Sequence, residues 1–271
     1  MRKKLRVGVV STYRVQCGVS LHIENITNET SKLVESMKIF AEHINPPDKE
    51  TPPRYPENPV EFERCWRRGE RFDNLQAKIL EYSPDIVEIQ FNAGLMSEGN
   101  YNPNSHFQHF VSNLKDKGIK VVFYVHDVPK FICEGYYDSQ QLYQWYKKID
   151  VNLISGNPFI KEGILKWYPE AKIFEIPVYV PKTTAYPKEI ARKALNLRQE
   201  DFLITQLGFY GINKGMKEII EAIPNIPIPN LKIVFAGSLH PFAMDSDKVY
   251  MMECIRSAIK NKITKDRKSV V

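Results

Sequence analysis

Short, strongly apolar runs recur along this chain, each followed by an amphipathic pattern of helical period, and no other feature constrains the fold as much. "RVGVV" (6–10), "MKIFAEHI" (37–44), "DIVEIQF" (85–91), "IKVVFYV" (119–125), "VNLIS" (151–155), "AKIFEIP" (171–177), "DFLITQL" (201–207) and "NLKIVFAG" (230–237) read as strands. Apolar runs of this length, rich in Val and Ile, suit strands covered on both faces. Strands alternating with helices predict an α/β fold with parallel sheets flanked by helices. In such sheets ligands sit beyond the carboxyl ends of the strands, so the loops after strands are where chemistry is sought.

The helices expected between them include 19–37, 106–118, 139–149, 157–168 with Pro158 near its start, 189–195, 214–223 and 247–263. The stretch "VEFERCWRRGERFDNLQAKILEY" (60–82) reads as one further helix interrupted at Gly69. Residues 45–59 carry six prolines and must be loop. A second proline-bearing connection, "VYVPKTTAYPKE", is the expected boundary between a Rossmann-like domain over 1–180 and a partial second one over 181–271. On the last helix Val249, Met252, Ile255 and Ile259 form an apolar stripe that calls for a partner.

Composition excludes several classes. No apolar run approaches the roughly 20 residues a membrane span needs, and "VGVV" is far too short for a signal-peptide core. Cys17, Cys65, Cys133 and Cys254 are scattered without metal-type pairing, which reads as reduced thiols in a cytoplasmic protein. The net charge is +6, but residues 256–271 hold six basic side chains against one acid, so the excess belongs to a terminal tail. A nucleic-acid groove would spread charge over the folded body. Nucleic acid is therefore not an expected partner, and the tail leaves open peripheral contact with anionic lipid.

Four loops after strands stand out: "STYRVQCGVS", "QFNAGLMSEG", "HDVP" and "GFYGINKG". None is a dinucleotide fingerprint or a Walker A loop; Lys214 precedes Gly215 and no hydroxyl follows. In "GFYGINKGMKEIIEA" a strand, a glycine-bearing turn and a helix in succession make an anion-binding arrangement, with Lys214 adding a full charge. His126 and Asp127 follow a buried strand and belong at the sheet's carboxyl edge, where a histidine can donate a hydrogen bond or exchange protons near neutral pH. Gln90, Asn92 and Gly208 occupy comparable strand-end positions and are candidate cleft-lining groups. His22, His43, His106, His109 and His240 have no comparable context.

Taken together, these segments resemble glycosyltransferase family 4, whose members have the two-Rossmann GT-B fold. "CGVSLHIENIT" is similar to that family's first glycine loop, and "PDIVEIQFN" and "IKVVFYVHDVP" to its third and fourth strands. "AKIFEIPVYV" resembles the interdomain segment, and "LGFYGINKGMKEIIEAI" the second-domain phosphate signature. The resemblance implies a hexosyltransferase moving a sugar from a nucleotide-sugar to a carbohydrate or lipid-linked acceptor, with retention and without metal or cofactor. It implies donor binding by Gly18, Lys214 and Gly215, and contact of His126 with the transferring sugar. Three departures accompany it: Gly211 stands where an arginine is usual, Tyr179 replaces the interdomain glycine, and the later Glu-x7-Glu segment has no counterpart. The chain is accordingly expected to be a truncated transferase, inactive alone unless joined by a complementing polypeptide. Two alternatives remain: a non-catalytic sugar- or nucleotide-binding protein, and an interaction protein docking through its basic tail.

Overall fold

The computed structural model describes residues 4–44, 50–57, 60–68, 70–92, 105–126, 146–179, 185–239, 243, 245–261 and 263. The chain divides into two compact units, Met1–Pro181 and Lys182–Val271. Asp127, residues 93–104, His240 and residues 262 and 264–271 of the basic tail fall outside the described residues. Among the described residues no helix is long and apolar enough to cross a membrane.

The first unit is built on β1 (Arg6–Ser11), β2 (Ser36–Glu42), β3 (Glu61–Trp66), β4 (Ile86–Phe91), β5 (Lys120–Val125), β6 (Asn152–Ser155) and β7 (Ile173–Glu175). These form one sheet in the order β3-β2-β1-β4-β5-β6-β7. Every pairing is parallel. This is the doubly wound order, with its switch point between β1 and β4. The parallel α/β architecture expected from the alternating runs is the one observed. Helices α1 (Gly18–Thr30), α2 (Asp73–Tyr82), α3 (Ser105–Asp116) and α4 (Pro158–Trp167) connect the strands.

Alternation along each strand sends successive side chains to opposite faces. Val10, Phe40, Val87, Ile89, Phe91 and Phe123 enter the larger core, which includes Leu75 and Ile79 of α2, Phe107 and Leu114 of α3, and Ile160 and Ile164 of α4. Val9, Ile39 and Ala41 face the other way and pack with Ile23 of α1. Local chemistry sets the helix ends. Asn157 Oδ1 accepts from Phe159 N at 2.8 Å ahead of Pro158. Gly118 follows α3 at φ +79°, a conformation a side chain would disfavour.

The single helix expected over 60–82 is instead a strand followed by a helix. "EFERCW" mixes Glu61, Glu63 and Arg64 with Phe62, Cys65 and Trp66 and forms an edge strand, paired among the described residues only with β2. Lys38 of β2 pairs with Glu61 at 2.8 Å and Glu63 at 3.1 Å, satisfying the acids that made the segment look helical. Helix α1 is likewise shorter than expected: it ends at Thr30, passes through a 3-10 turn at Ser31–Leu33, and the chain enters β2 at Ser36.

The second unit holds α5 (Lys188–Ala194), β8 (Phe202–Leu207), a 3-10 turn (Ile212–Lys214), α6 (Met216–Ala222), β9 (Leu231–Ala236) and α7 (Asp245–Lys260). β8 and β9 pair in parallel as a two-stranded sheet. Tyr210, Met216, Ile220, Tyr250 and Cys254 form one cluster, and Ile223, Leu231 and Ile233 another. The core face of α7 is therefore Tyr250 and Cys254. The stripe of Val249, Met252, Ile255 and Ile259 is exposed.

Candidate functional site

The site in the first unit is assembled at the carboxyl edge of β1, β4 and β5. After β1 the chain turns through Thr12 and Cys17 into α1. Cys17 caps the helix, its Sγ accepting from Ser20 N at 3.3 Å and lying 3.4 Å from Thr12 Oγ1. Ser20 Oγ in turn accepts from Val15 N at 3.1 Å, which fixes the loop from within. Gly18 opens the helix and is exposed, and a Cβ built there would meet nothing within 4 Å. Its lack of a side chain serves no neighbour in the chain and leaves the loop's outer surface free. Gly18→Ala should therefore leave the melting temperature unchanged or slightly raised, since alanine favours helix over glycine by about 1 kcal/mol. If Gly18 approaches a ligand, the same variant loses binding; a large stability loss in a thermal melt would contradict this placement.

His126 follows β5 directly, and its backbone N–H donates to Phe91 O of β4 at 3.1 Å. Its Nε2 lies 2.7 Å from Gln90 Oε1. Gln90 Nε2 donates to Glu88 Oε1, two residues back along β4. In register Gln90 faces Tyr124, and Glu88 lies between Val9 and Val122. Helix α1 covers this face with His22, whose ring is 4.6 Å from Tyr124 and 5.4 Å from His126. Tyr124 Oη donates to Ile176 O at 3.3 Å.

Electrostatics follow from depth. Burial pushes the Glu88 carboxyl up to about 7, opposed by the Gln90 hydrogen bond. Burial takes His126 down to about 4, with the His22 charge adding to the shift. His22 is lowered by burial as well, and Tyr124 is raised to about 12 by burial and by Glu88. Glu88 and His126 nevertheless keep part of their surface open to solvent. At neutral pH His126 is an uncharged imidazole, so the expected proton exchange near neutrality gives way to hydrogen bonding.

The structure brings Gly18 and His126 to the same edge of the sheet, as all strands are parallel. Gln90, expected to line a cleft, is fully buried and lies beneath His126. Asn92 is partly exposed at the end of β4. Two residues were missed. Glu88 is a charge inside an otherwise apolar central strand, which was the available signal. His22 stands on the helix face turned toward the sheet, and both its ring nitrogens are buried without a hydrogen-bond partner among the described residues.

In the second unit Gly208 (φ +121°) ends β8, and Gly215 (φ +67°) precedes α6. The expected direct passage from turn to helix is interrupted by the 3-10 turn containing Lys214. Lys214 is exposed and makes no ion pair among the described residues. One of the first amides of α6 is already engaged: Lys217 N donates to Tyr250 Oη at 3.1 Å. Gly237, after β9, packs so tightly on Gly208 that an added Cβ would stand 1.8 Å from Gly208 O.

Two of the cavities among the described residues lie away from this site. One of about 140 Å³ inside the second unit is walled by apolar groups including Met216, Ile233 and Phe235, which suit no phosphate. One of about 500 Å³ in the first unit lies at the amino ends of β4 and β5, around Asp85 and Lys120, on the edge opposite His126. Among the described residues no group of His, Cys, Asp and Glu is arranged to hold a metal ion.

The order of strands and the second parallel unit define an α/β fold of GT-B type. Among solved structures the chain is similar to HepE of Anabaena in complex with UDP, at 13% identity over 98% of this chain and 68% of that one, TM-score 0.65. It is similar to the sucrose-phosphate synthase of Thermosynechococcus elongatus, at 16% identity over 99% and 70% of the two chains, TM-score 0.67. A glycosyltransferase from Rickettsia africae matches at 12% identity over 99% and 68%, TM-score 0.67. No protein-family model and no curated protein matches the sequence.

Proposed function

We propose that this chain is a nucleotide-sugar-dependent glycosyltransferase of the family-4 type, moving a hexosyl group with retention of configuration. The observation that carries the reading is the Glu88–Gln90–His126 chain beside the switch point of β1 and β4, on a fold shared with HepE, whose structures hold UDP and UDP-glucose. Switch points are where doubly wound sheets bind nucleotides and their relatives. In this reading Gly18 lets the β1–α1 loop approach the ligand, and the neutral His126 contacts the transferred sugar. Asn92, Asp127 and Gly208 are further lining positions. Lys214 and Gly215 receive the diphosphate, where fixed positive charge stabilises the leaving group. No metal or other cofactor takes part.

Calorimetric titration with UDP and UDP-glucose, followed by assay of UDP release, tests the reading; absence of nucleotide binding overturns it. Lys214→Ala should weaken UDP binding about tenfold to a hundredfold, the effect of losing a charge-assisted contact worth roughly 1.5–3 kcal/mol. Equal affinities in wild type and variant would remove Lys214 from the site. Glu218, whose carboxylate lies 3.8 Å from the Cβ position of Gly215, keeps the expected affinity modest.

A second reading is a non-catalytic nucleotide- or sugar-binding protein that works with another polypeptide. The exposed apolar groups of the second unit favour it: Leu207 is 73% exposed, Ile212 75% and Ile259 72%. Binding without turnover is its expected signature, and donor-dependent release of UDP would rule it out.

A further inference from the structure

We propose that Glu88 is a positioning residue: acting through Gln90, it fixes His126 in the Nε2–H tautomer and leaves Nδ1 as an acceptor for a hydroxyl of the bound sugar. This rests on the glycosyltransferase reading for the identity of the ligand but not for the tautomer. Above its pKa of about 7 Glu88 is a carboxylate and only accepts hydrogen bonds, so Gln90 turns its NH2 toward it. Its carbonyl oxygen is thereby aimed at His126 Nε2, 2.7 Å away, and that nitrogen must carry the hydrogen. Gln90 is fully buried between β1 and β5, so its amide cannot turn to solvent, and the acceptor at Glu88 decides which end faces His126.

The other groups around the ring do not compete for this role. His22 meets His126 edge to face, and Tyr124 lies tilted against it at 4.9 Å, its hydroxyl engaged by Ile176 O. The remaining ring nitrogen, Nδ1, has no partner among the described residues and belongs to a side chain that is partly open to solvent. An uncharged ring with its lone pair available accepts from a hydroxyl. It offers nothing to a phosphate, which also has only acceptors at neutral pH apart from residual protons. The edge of the sheet at His126 is therefore a sugar subsite, and the diphosphate must be held by other groups.

The test uses the full chain, labelled with ¹⁵N, at pH 8, where Glu88 is ionised. Two-bond proton–nitrogen correlations report which ring nitrogen carries hydrogen. The expected result for His126 is a single Nε2–H form with a slowly exchanging ring proton. Glu88→Gln replaces an obligate acceptor with a group that can present either end. Gln90 can then turn, and the Nδ1–H form should appear. Gln90→Met should lose the protected ring proton altogether. If Gln90→Met fails to fold, the isosteric Glu88→Gln variant still decides the matter. An Nδ1–H tautomer in the wild type, or an unchanged Nε2–H form in Glu88→Gln, overturns the positioning role.

A second arm compares UDP-glucose with UDP. Glu88→Gln should weaken UDP-glucose about threefold to tenfold, one neutral hydrogen bond, while UDP affinity stays constant. Equal weakening of both ligands would show that Glu88 acts on the fold rather than on the sugar subsite, and overturns the assignment. If the wild type binds neither ligand, the glycosyltransferase reading and its sugar subsite fall together, while the tautomer measurement independently decides the positioning chain.

Discussion

Gly237→Ala should dismantle the second unit while leaving the seven-stranded sheet intact. The added methyl carbon would stand 1.8 Å from Gly208 O and 2.8 Å from Gly208 C, so backbone rather than a side-chain tip must move. The shift falls where Gly208 N donates to Ala236 O at 3.0 Å and Tyr210 N to Ser238 O at 2.8 Å. Tyr210, 5% exposed, would leave its place against Met216 and Tyr250, and its hydroxyl would leave Phe235 O. Overpacking against rigid neighbours costs typically about 1–3 kcal/mol, occasionally more, and a two-stranded sheet has little apolar area in reserve. Hydrogen exchange should show the amides of β8 and β9 approaching the rates of open chain, with those of β4 and β5 unchanged. Protection of β8 and β9 equal to the wild type would mean the two glycines are not in contact.

The parts of the fold that were legible in the sequence are those governed by periodicity alone. "IKVVFYV" and "RVGVV" read as buried strands because parallel strands covered on both faces have no polar side to present. Gly118 and Pro158 marked helix ends because their backbone preferences act locally. "EFERCW" failed because an edge strand can satisfy charges through its neighbour; nothing in the segment itself announces that Lys38 will stand opposite Glu61. The site was legible only in outline. His126 could be placed at a strand end by counting, but its chemistry depends on Glu88 and His22, which reach it from a different strand and from α1. Gln90 was misread for the same reason: a polar residue at a strand end faces outward or inward depending on what the next strand and helix bring to it. Glu88 was the one interior charge in "DIVEIQF", and a charge in a central strand is either paired or functional.

That buried charge leads to the second large effect. Glu88→Gln should stabilise the first unit above neutrality by about 3 kcal/mol and change it little in acid. The Glu88 carboxyl sits near 7 in the folded chain against an ordinary value of 4.5. A raised carboxyl means the folded state prefers the protonated form. Its favourable contribution is complete below about pH 4.5 and is lost as pH rises from there through 7. A shift of that size corresponds to roughly 3 kcal/mol, at 1.36 kcal/mol for each pH unit. Glutamine resembles the neutral acid in shape and hydrogen bonding, so the variant escapes this loss. His126 and His22 titrate in the opposite sense, both lowered by burial and both destabilising as pH falls below their unfolded values. They are present in both proteins and cancel from the difference. Chemical denaturation of the two proteins at pH 4.5, 6 and 8 should therefore give curves that nearly coincide in acid and separate steadily toward pH 8. Parallel curves across that range would place the Glu88 carboxyl in solvent, and with it would go the positioning chain from which the sugar subsite was inferred.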